Sequence, residues 1–211
     1  MTSRDTVLTR IRAALAADGP ATPIPRDYIR RSANEPGSEH VLELLIDRLV
    51  DYKALVDRVS VAELPGVVDA ALSQSASVVV APDLEPAITA VCALGGRRVT
   101  ADSAPEALTP QQLDAIDAVV TTARVAIAMS GTIILDGGPG QGRRAITLVP
   151  DRHVVILTAE QIVETVAEAI AVLNPTAPLT MIAGPSATSD IELERVEGVH
   201  GPRTLHVIVV G

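Results

Sequence analysis

From residue 61 onward, helical stretches alternate with short β-branched runs, and few architectures accept that alternation. SVVVAP (77–82), DAVVTTA (117–123), HVVILT (153–158) and TLHVIVV (204–210) are near-continuous apolar runs bounded by turn residues. A strand with one wet face alternates apolar and polar side chains; a strand that is apolar throughout needs cover on both faces. Candidate helices stand between the strands: 61–75, 83–96, 109–116 and 159–173, the last with Ile162, Val166, Ile170 and Leu173 on one face. A strand–helix–strand order implies parallel strands joined by crossovers. RRVT (97–100), SGTIILD (130–136), RAITLVP (144–150) and LTMIAG (179–184) read as further strands. Between 117 and 158 the candidates lie too close together for helical crossovers, so antiparallel hairpins are expected there. The expected class is α/β, with a mixed central sheet flanked by helices. The chain has no Phe or Trp and only two Tyr, Tyr28 and Tyr52, so the core has to be built from Val, Ile, Leu and Ala.

The first 60 residues read as an N-terminal helical extension ahead of an α/β domain over 61–211. Residues 3–17 form an amphipathic pattern with Val7, Leu8, Ile11 and Leu15 on one face, stopped by Gly19-Pro20. A Pro-rich polar segment (20–38) crosses to a second helix at 39–58. There Leu42, Leu45, Leu49, Tyr52 and Val56 recur at spacings of 3 and 4. Such a stripe serves either docking on the chain's own body or pairing with a partner helix.

The formal net charge of −9 and the scarcity of aromatic rings exclude a general nucleic-acid binder, which needs a basic footprint and stacking rings. A local pair of arginines still suits one small anion. The single cysteine, Cys92, lies in an apolar helical run and reads as a buried structural thiol. The N-terminal stretch is charged throughout and unlike a secretory leader. No run approaches the roughly 18–20 apolar residues that span a bilayer. A cytoplasmic protein without a membrane span is expected.

Ligands in open α/β sheets sit beyond the carboxyl ends of the strands, which directs attention to the loops after residues 81, 122, 135 and 183. AGPSATSDIE (183–192) follows an apolar run and contains Ser189 with Glu192 three residues on, a capping-box pattern for a helix start. Gly184, Ser186, Thr188 and Ser189 would surround its free N–H groups, where a phosphate or carboxylate fits; a capped helix without a ligand fits equally. DGGPGQGRR (136–144) combines four glycines with Arg143 and Arg144, residues suited to gripping an anion. It has neither the Lys-Ser/Thr of a phosphate-binding P-loop nor the spacing of a dinucleotide fingerprint, and a mobile hairpin connection is the plainer reading. In GVHGPR (198–203), His200 lies between loop residues where it can carry a proton or donate to a ligand, with Arg203 beside it. His153 and His206 read as structural histidines. Ser130-Gly131-Thr132 forms a small-residue turn whose backbone, at Gly131 and Thr132, could line a pocket; a tight strand-to-strand turn is the plainer reading. The histidines show no metal-ligand spacing, and no metal site is expected.

AMSGTIIL, GPGQGRRAITLVPDRHVVI and AGPSATSDIELERVEGVHGPRTLHVIVV together resemble the lactate utilisation protein C family of LUD-domain proteins. The resemblance runs over about residues 75–211 and more loosely over the N-terminal helices. It implies a fold like the NagB/RpiA/CoA-transferase group and a role beside iron–sulfur subunits in oxidising L-lactate to pyruvate. With one cysteine, this chain is expected to hold no cluster or other cofactor of its own. Relatives often carry a Glu-Thr-Gly-Thr-like segment where this chain reads Met129-Ser130-Gly131-Thr132. Met129 supplies neither nucleophile nor base, which argues against covalent carboxylate catalysis here. Three roles follow: an accessory subunit that binds a small carboxylate or phosphate, a free-standing enzyme with Asp190 or His200 as general acid or base, or a metabolite-binding scaffold.

Overall fold

A computed structural model describes residues 2–15, 23–188, 196–197 and 201–211. In chain order the elements are α1 (Ser3–Leu15), α2 (Glu39–Asp51), β1 (Leu55–Val59), α3 (Leu64–Ala71), β2 (Ser77–Val80), α4 (Pro86–Cys92), β3 (Arg98–Ala101), α5 (Pro110–Asp114) and β4 (Ala118–Thr122). They continue with β5 (Val125–Ile127), β6 (Thr132–Leu135), β7 (Arg152–Thr158), β8 (Ile162–Val163), α6 (Val166–Val172), β9 (Thr180–Ile182), β10 (Ala187–Thr188), β11 (Val196–Glu197) and β12 (Thr204–Val210).

Six strands form one sheet in the order β1-β12-β7-β4-β2-β3, and every pairing in it is parallel. Alternate residues of each strand serve opposite faces. Val154, Ile156, Ile208 and Val210 meet α3 and α4 through Val68, Leu72, Ile88 and Cys92. Val155, Leu157, Val207 and Val209 meet Leu42, Leu45 and Leu49 of α2 on the other face. Both faces are covered, as the unbroken apolar runs require.

The expected α/β class is present, and the mixed character is confined to a smaller sheet of order β8-β5-β6-β9. There β5–β6 and β6–β9 are antiparallel and β5–β8 is parallel. The hairpin expected between residues 117 and 158 is therefore β5–β6, while β4 and β7 lie parallel. The hairpin and the loop after it take the place of a crossover helix.

Several boundaries move for local reasons. The second helix stops at Asp51 because Tyr52 caps it and Lys53 turns to φ 69°; residues 55–59 then form an edge strand of the main sheet. The 39–59 segment, placed in the helical extension on sequence grounds, is thus built into the α/β body. The stripe Leu42, Leu45, Leu49 is fully used by that packing. Residues 144–150 form a short 3₁₀ turn (Arg144–Thr147) instead of a strand, with Ile146 buried against α5. The 159–173 helix divides into a turn, β8 and α6. Ile162 pairs with Ala126, and Thr165 restarts the helix with a capping box to Glu168.

Candidate functional site

The order of the main sheet reverses at β2: the chain goes from β2 outward to β3 and then back across to β4. Such a switch point opens a crevice between the carboxyl ends of the two strands, the usual ligand position in doubly wound sheets. The glycine-rich loop after β6 is seated beside it. Thr122 donates its N–H to the Gly140 carbonyl at 3.0 Å and its hydroxyl to the Pro139 carbonyl at 2.6 Å. Gly140 in turn donates its N–H to Asp83 Oδ1 at 3.1 Å. The Gln141 side-chain oxygen accepts the N–H groups of Asp136 (2.7 Å) and Gly137 (3.1 Å). A Cβ on Gly140, at φ +72°, would lie 2.9 Å from Thr122 Oγ1. The loop expected to be a mobile connection is a bonded part of the sheet's edge.

Beside it lies a cavity of about 510 Å³. Three of the four loops indicated by the carboxyl-end argument meet here, through Leu84, Ala123 and Gly138. Leu64, Ile88, Ile156 and Val210 make its walls aliphatic. Of its charged groups, Arg124 stands 3.7 Å from Asp136 and donates to the Val172 carbonyl at 2.9 Å, and Glu85 also lines the wall. The signal for these residues was present in the sequence, in the run TTAR after a strand and DGG after another. The pairing between them was not.

The fourth loop, after 183, does not follow that expectation: it lies by the amino ends of the central strands β7 and β12. It lines a cavity of about 310 Å³ with Arg144, Thr147, His153, Thr180, Ser186 and Leu205 among its walls. His153 and Leu205 stand near the amino ends of β7 and β12. Three of the sequence-predicted residues converge here: Arg144, Gly184 and Ser186. Arg144 is exposed and makes no ion pair among the described residues. Gly184 takes φ +80° against the Cβ of Tyr52, so the loop's approach to α2 depends on the absence of a side chain. The Ser186 N–H donates to the Pro202 carbonyl at 2.9 Å, which ties the 184–186 turn to the chain just before β12. His153 is buried, with Nε2 2.8 Å from Thr121 Oγ1, and burial pushes its imidazole down to about 3. It is neutral near pH 7. It was expected to be structural, and it does pack in the core, but it also forms part of this wall.

The other predicted residues go elsewhere. Arg143 lines neither of these cavities but a neighbouring one of about 330 Å³ shared with Arg144, Thr147 and Thr180; its guanidinium pairs with Asp102, whose side chain has no exposure, and donates to the Leu108 carbonyl. That contact raises the Arg143 guanidinium further above its ordinary value. Arg203 grips Asp151 with two bonds of 2.6 and 2.8 Å and holds the Asp151 carboxyl below its usual range. Gly131 packs against Arg48 of α2 at φ +61°. Thr132 bonds Ser130 hydroxyl to hydroxyl at 2.8 Å, and Met129 is exposed beside them. The backbone of Thr188 belongs to β10, paired antiparallel with β11. Ser189, Asp190 and His200, with the helix expected to start at Ser189, lie outside the described residues. His206 bonds Asp57 at 2.7 Å across β12 and β1. Among the described residues no group of His, Cys, Asp and Glu side chains is placed to hold a metal, and no helix is long and apolar enough to cross a membrane.

A parallel sheet covered by helices on both faces, with glycine-bearing loops over cavities at the carboxyl and amino ends of its strands, defines a doubly wound α/β domain. Comparison with known proteins narrows the class. The family model for the LUD domain matches residues 46–210. A Deinococcus radiodurans protein named lactate utilization protein C is 42% identical over 97% of this chain and 94% of its own length. A protein of the same name from Geobacillus sp. is 32% identical over 43% of this chain and 41% of its own. A crystal structure of a DUF162 family protein from Deinococcus radiodurans superposes with a TM-score of 0.67 at 38% identity, covering 82% of this chain and 97% of that one. The chain belongs to the LUD-domain family.

Proposed function

We propose that this chain is a component of lactate utilisation that binds a small carboxylate, such as lactate or pyruvate, in the cavity around Arg144. The observation that carries this reading is a cation with no ion-pair partner among the described residues, standing in a cavity with hydroxyls and a neutral histidine. A guanidinium is well matched to a carboxylate, and Thr180 and Ser186 line the same cavity. The names of the relatives support lactate utilisation as the setting.

The chain acts, on this reading, in the cytoplasm beside iron–sulfur subunits that carry the electrons. A cluster needs several thiolates; this chain has one cysteine, and it is buried among α4 and the sheet. Redox chemistry is therefore assigned to partners and ligand binding to this chain. The alternative of independent turnover rests on Asp190 and His200 as acid and base.

Calorimetric titration with L-lactate, pyruvate and a sugar phosphate tests the proposal, in the native chain and in Arg144→Gln, Ser186→Ala and Asp190→Ala. A lost charge-assisted contact should weaken carboxylate binding about 10–100-fold in Arg144→Gln. Undiminished binding in that variant would overturn the site. Steady turnover of a substrate by the purified chain, lost in Asp190→Ala, would favour the enzyme reading instead.

A further inference from the structure

Helix α1 has thirteen residues, and none of them is buried. Val7, Ile11 and Leu15 recur every four residues, so they share one face, and they are 55%, 49% and 61% exposed. Further along the same N-terminal segment, Ile24, Tyr28 and Ile29 are exposed by 69%, 63% and 86%. An isolated helix of this length is marginal in water, because one helix supplies little to offset the cost of nucleating it. A helix with an apolar stripe and no buried residue offers that stripe as one side of an interface.

Charge identifies the other half. Residues 1–31 hold six arginines and three aspartates, a net charge of +3. The remaining 180 residues hold 11 basic and 23 acidic side chains, a net charge of −12. A basic arm on a strongly acidic body has its complement on another copy of the same chain. An anionic lipid surface would attract the arm but repel the body. The arm is rooted at its far end: the Ser32 N–H donates to Glu168 at 3.0 Å, the Ser32 hydroxyl and the Asn34 amide both donate to Glu164, and the Gly37 N–H bonds the Ile162 carbonyl. The LUD-domain match begins only at residue 46, so the arm lies outside it.

We propose that α1 is a docking element for a second copy of this chain, seated on the outward face of that copy's α2. That face carries Glu43, Asp47 and Asp51 at four-residue spacing, Asp47 also paired with Arg48 at 3.1 Å, with exposed Val50 and Tyr52 beside them. It meets the arginines Arg4, Arg10 and Arg12 with carboxylates and the apolar stripe with two apolar side chains. The exchange is reciprocal, each copy lending its arm, which closes a two-fold dimer.

Sedimentation equilibrium of the full chain at low and high salt tests this. The native chain is expected to form a dimer that weakens as salt rises. The variant Ile11→Asp with Leu15→Asp is expected to weaken association by more than about 30-fold, with the melting temperature of the monomer, read at low protein concentration, unchanged because neither side chain is buried in it. Arg10→Glu with Arg12→Glu is expected to do the same, and mixing it with a Glu43→Arg, Asp47→Arg copy to restore association. A native chain that is monomeric at low salt and high concentration overturns the proposal, as does a dimer that survives the stripe variant. Failure of the mixed pair to associate overturns the placement on α2.

Discussion

Replacing Arg143 by Ala should destabilise the fold and leave ligand binding in the Arg144 cavity intact. The reason is Asp102. Its side chain is wholly buried, and it accepts the Leu108 N–H at 2.8 Å and the guanidinium of Arg143. Removing one partner of a buried ion pair leaves an uncompensated charge, which costs about 3–5 kcal/mol where both groups are enclosed. The Arg143 side chain is 39% exposed, so water screens part of the interaction, and about 2–3 kcal/mol is the working figure here. For a domain of this size that corresponds to a fall in Tm of about 4–12 °C. Denaturant unfolding of Arg143→Ala, Asp102→Asn and the double variant forms a cycle. The double variant should be more stable than the sum of the single losses implies, by at least about 1 kcal/mol, because the orphaned charge is gone. Additive losses, or an Arg143→Ala variant that unfolds like the native chain, would refute the pairing. Arg143 would then return as a ligand residue, as the sequence alone suggested.

Stability should also fall as the pH drops from about 6.5 to about 5, by about 1.4 kcal/mol per unit from one histidine. His153 binds its proton only near 3 in the folded chain and near 6.5 when unfolded, so the unfolded state takes up protons first in this window. His153→Gln should flatten the slope of unfolding free energy against pH between those values; an unchanged slope would refute the assignment. Cys92 is buried, and its thiol is pushed up to about 11, so iodoacetamide near pH 8 should label it only after denaturation. Labelling of the native chain at the rate of a free thiol would contradict its placement. Gly140→Ala should cost about 1–3 kcal/mol through strain at positive φ and contact with Thr122, read from urea unfolding. A neutral outcome would show that the loop is not held as described.

The parts of this molecule that were legible in its sequence are those decided locally. The runs at 77–82, 153–158 and 204–210 announce strands covered on both faces, since their β-branched residues have no wet side to offer. The strand at Leu55–Val59 was hidden because Val56 continues the helical spacing begun at Leu42. Only the reversal at Lys53 and the pairing with β12 separate the two elements. Residues 144–150 have strand composition, yet Ile146 is drawn into the space between α5 and the sheet and the chain turns there instead. Tertiary packing overrides propensity in both places.

The adjacent arginines show the same division within the site. Arg143 and Arg144 look equivalent in the sequence, each a cation at the exit of a glycine-rich loop. Their fates are separated by Asp102, 41 residues from Arg143, whose burial at the end of β3 claims one guanidinium and leaves its neighbour facing a cavity. Nothing in the spacing around residue 102 marks that carboxylate as buried. Local pattern thus identifies which residue types are available for anion binding, and the long-range pairing of charges decides which of them remains available. That is why the cation without an ion-pair partner among the described residues, and not the longer inventory of polar loop residues, carries the functional proposal.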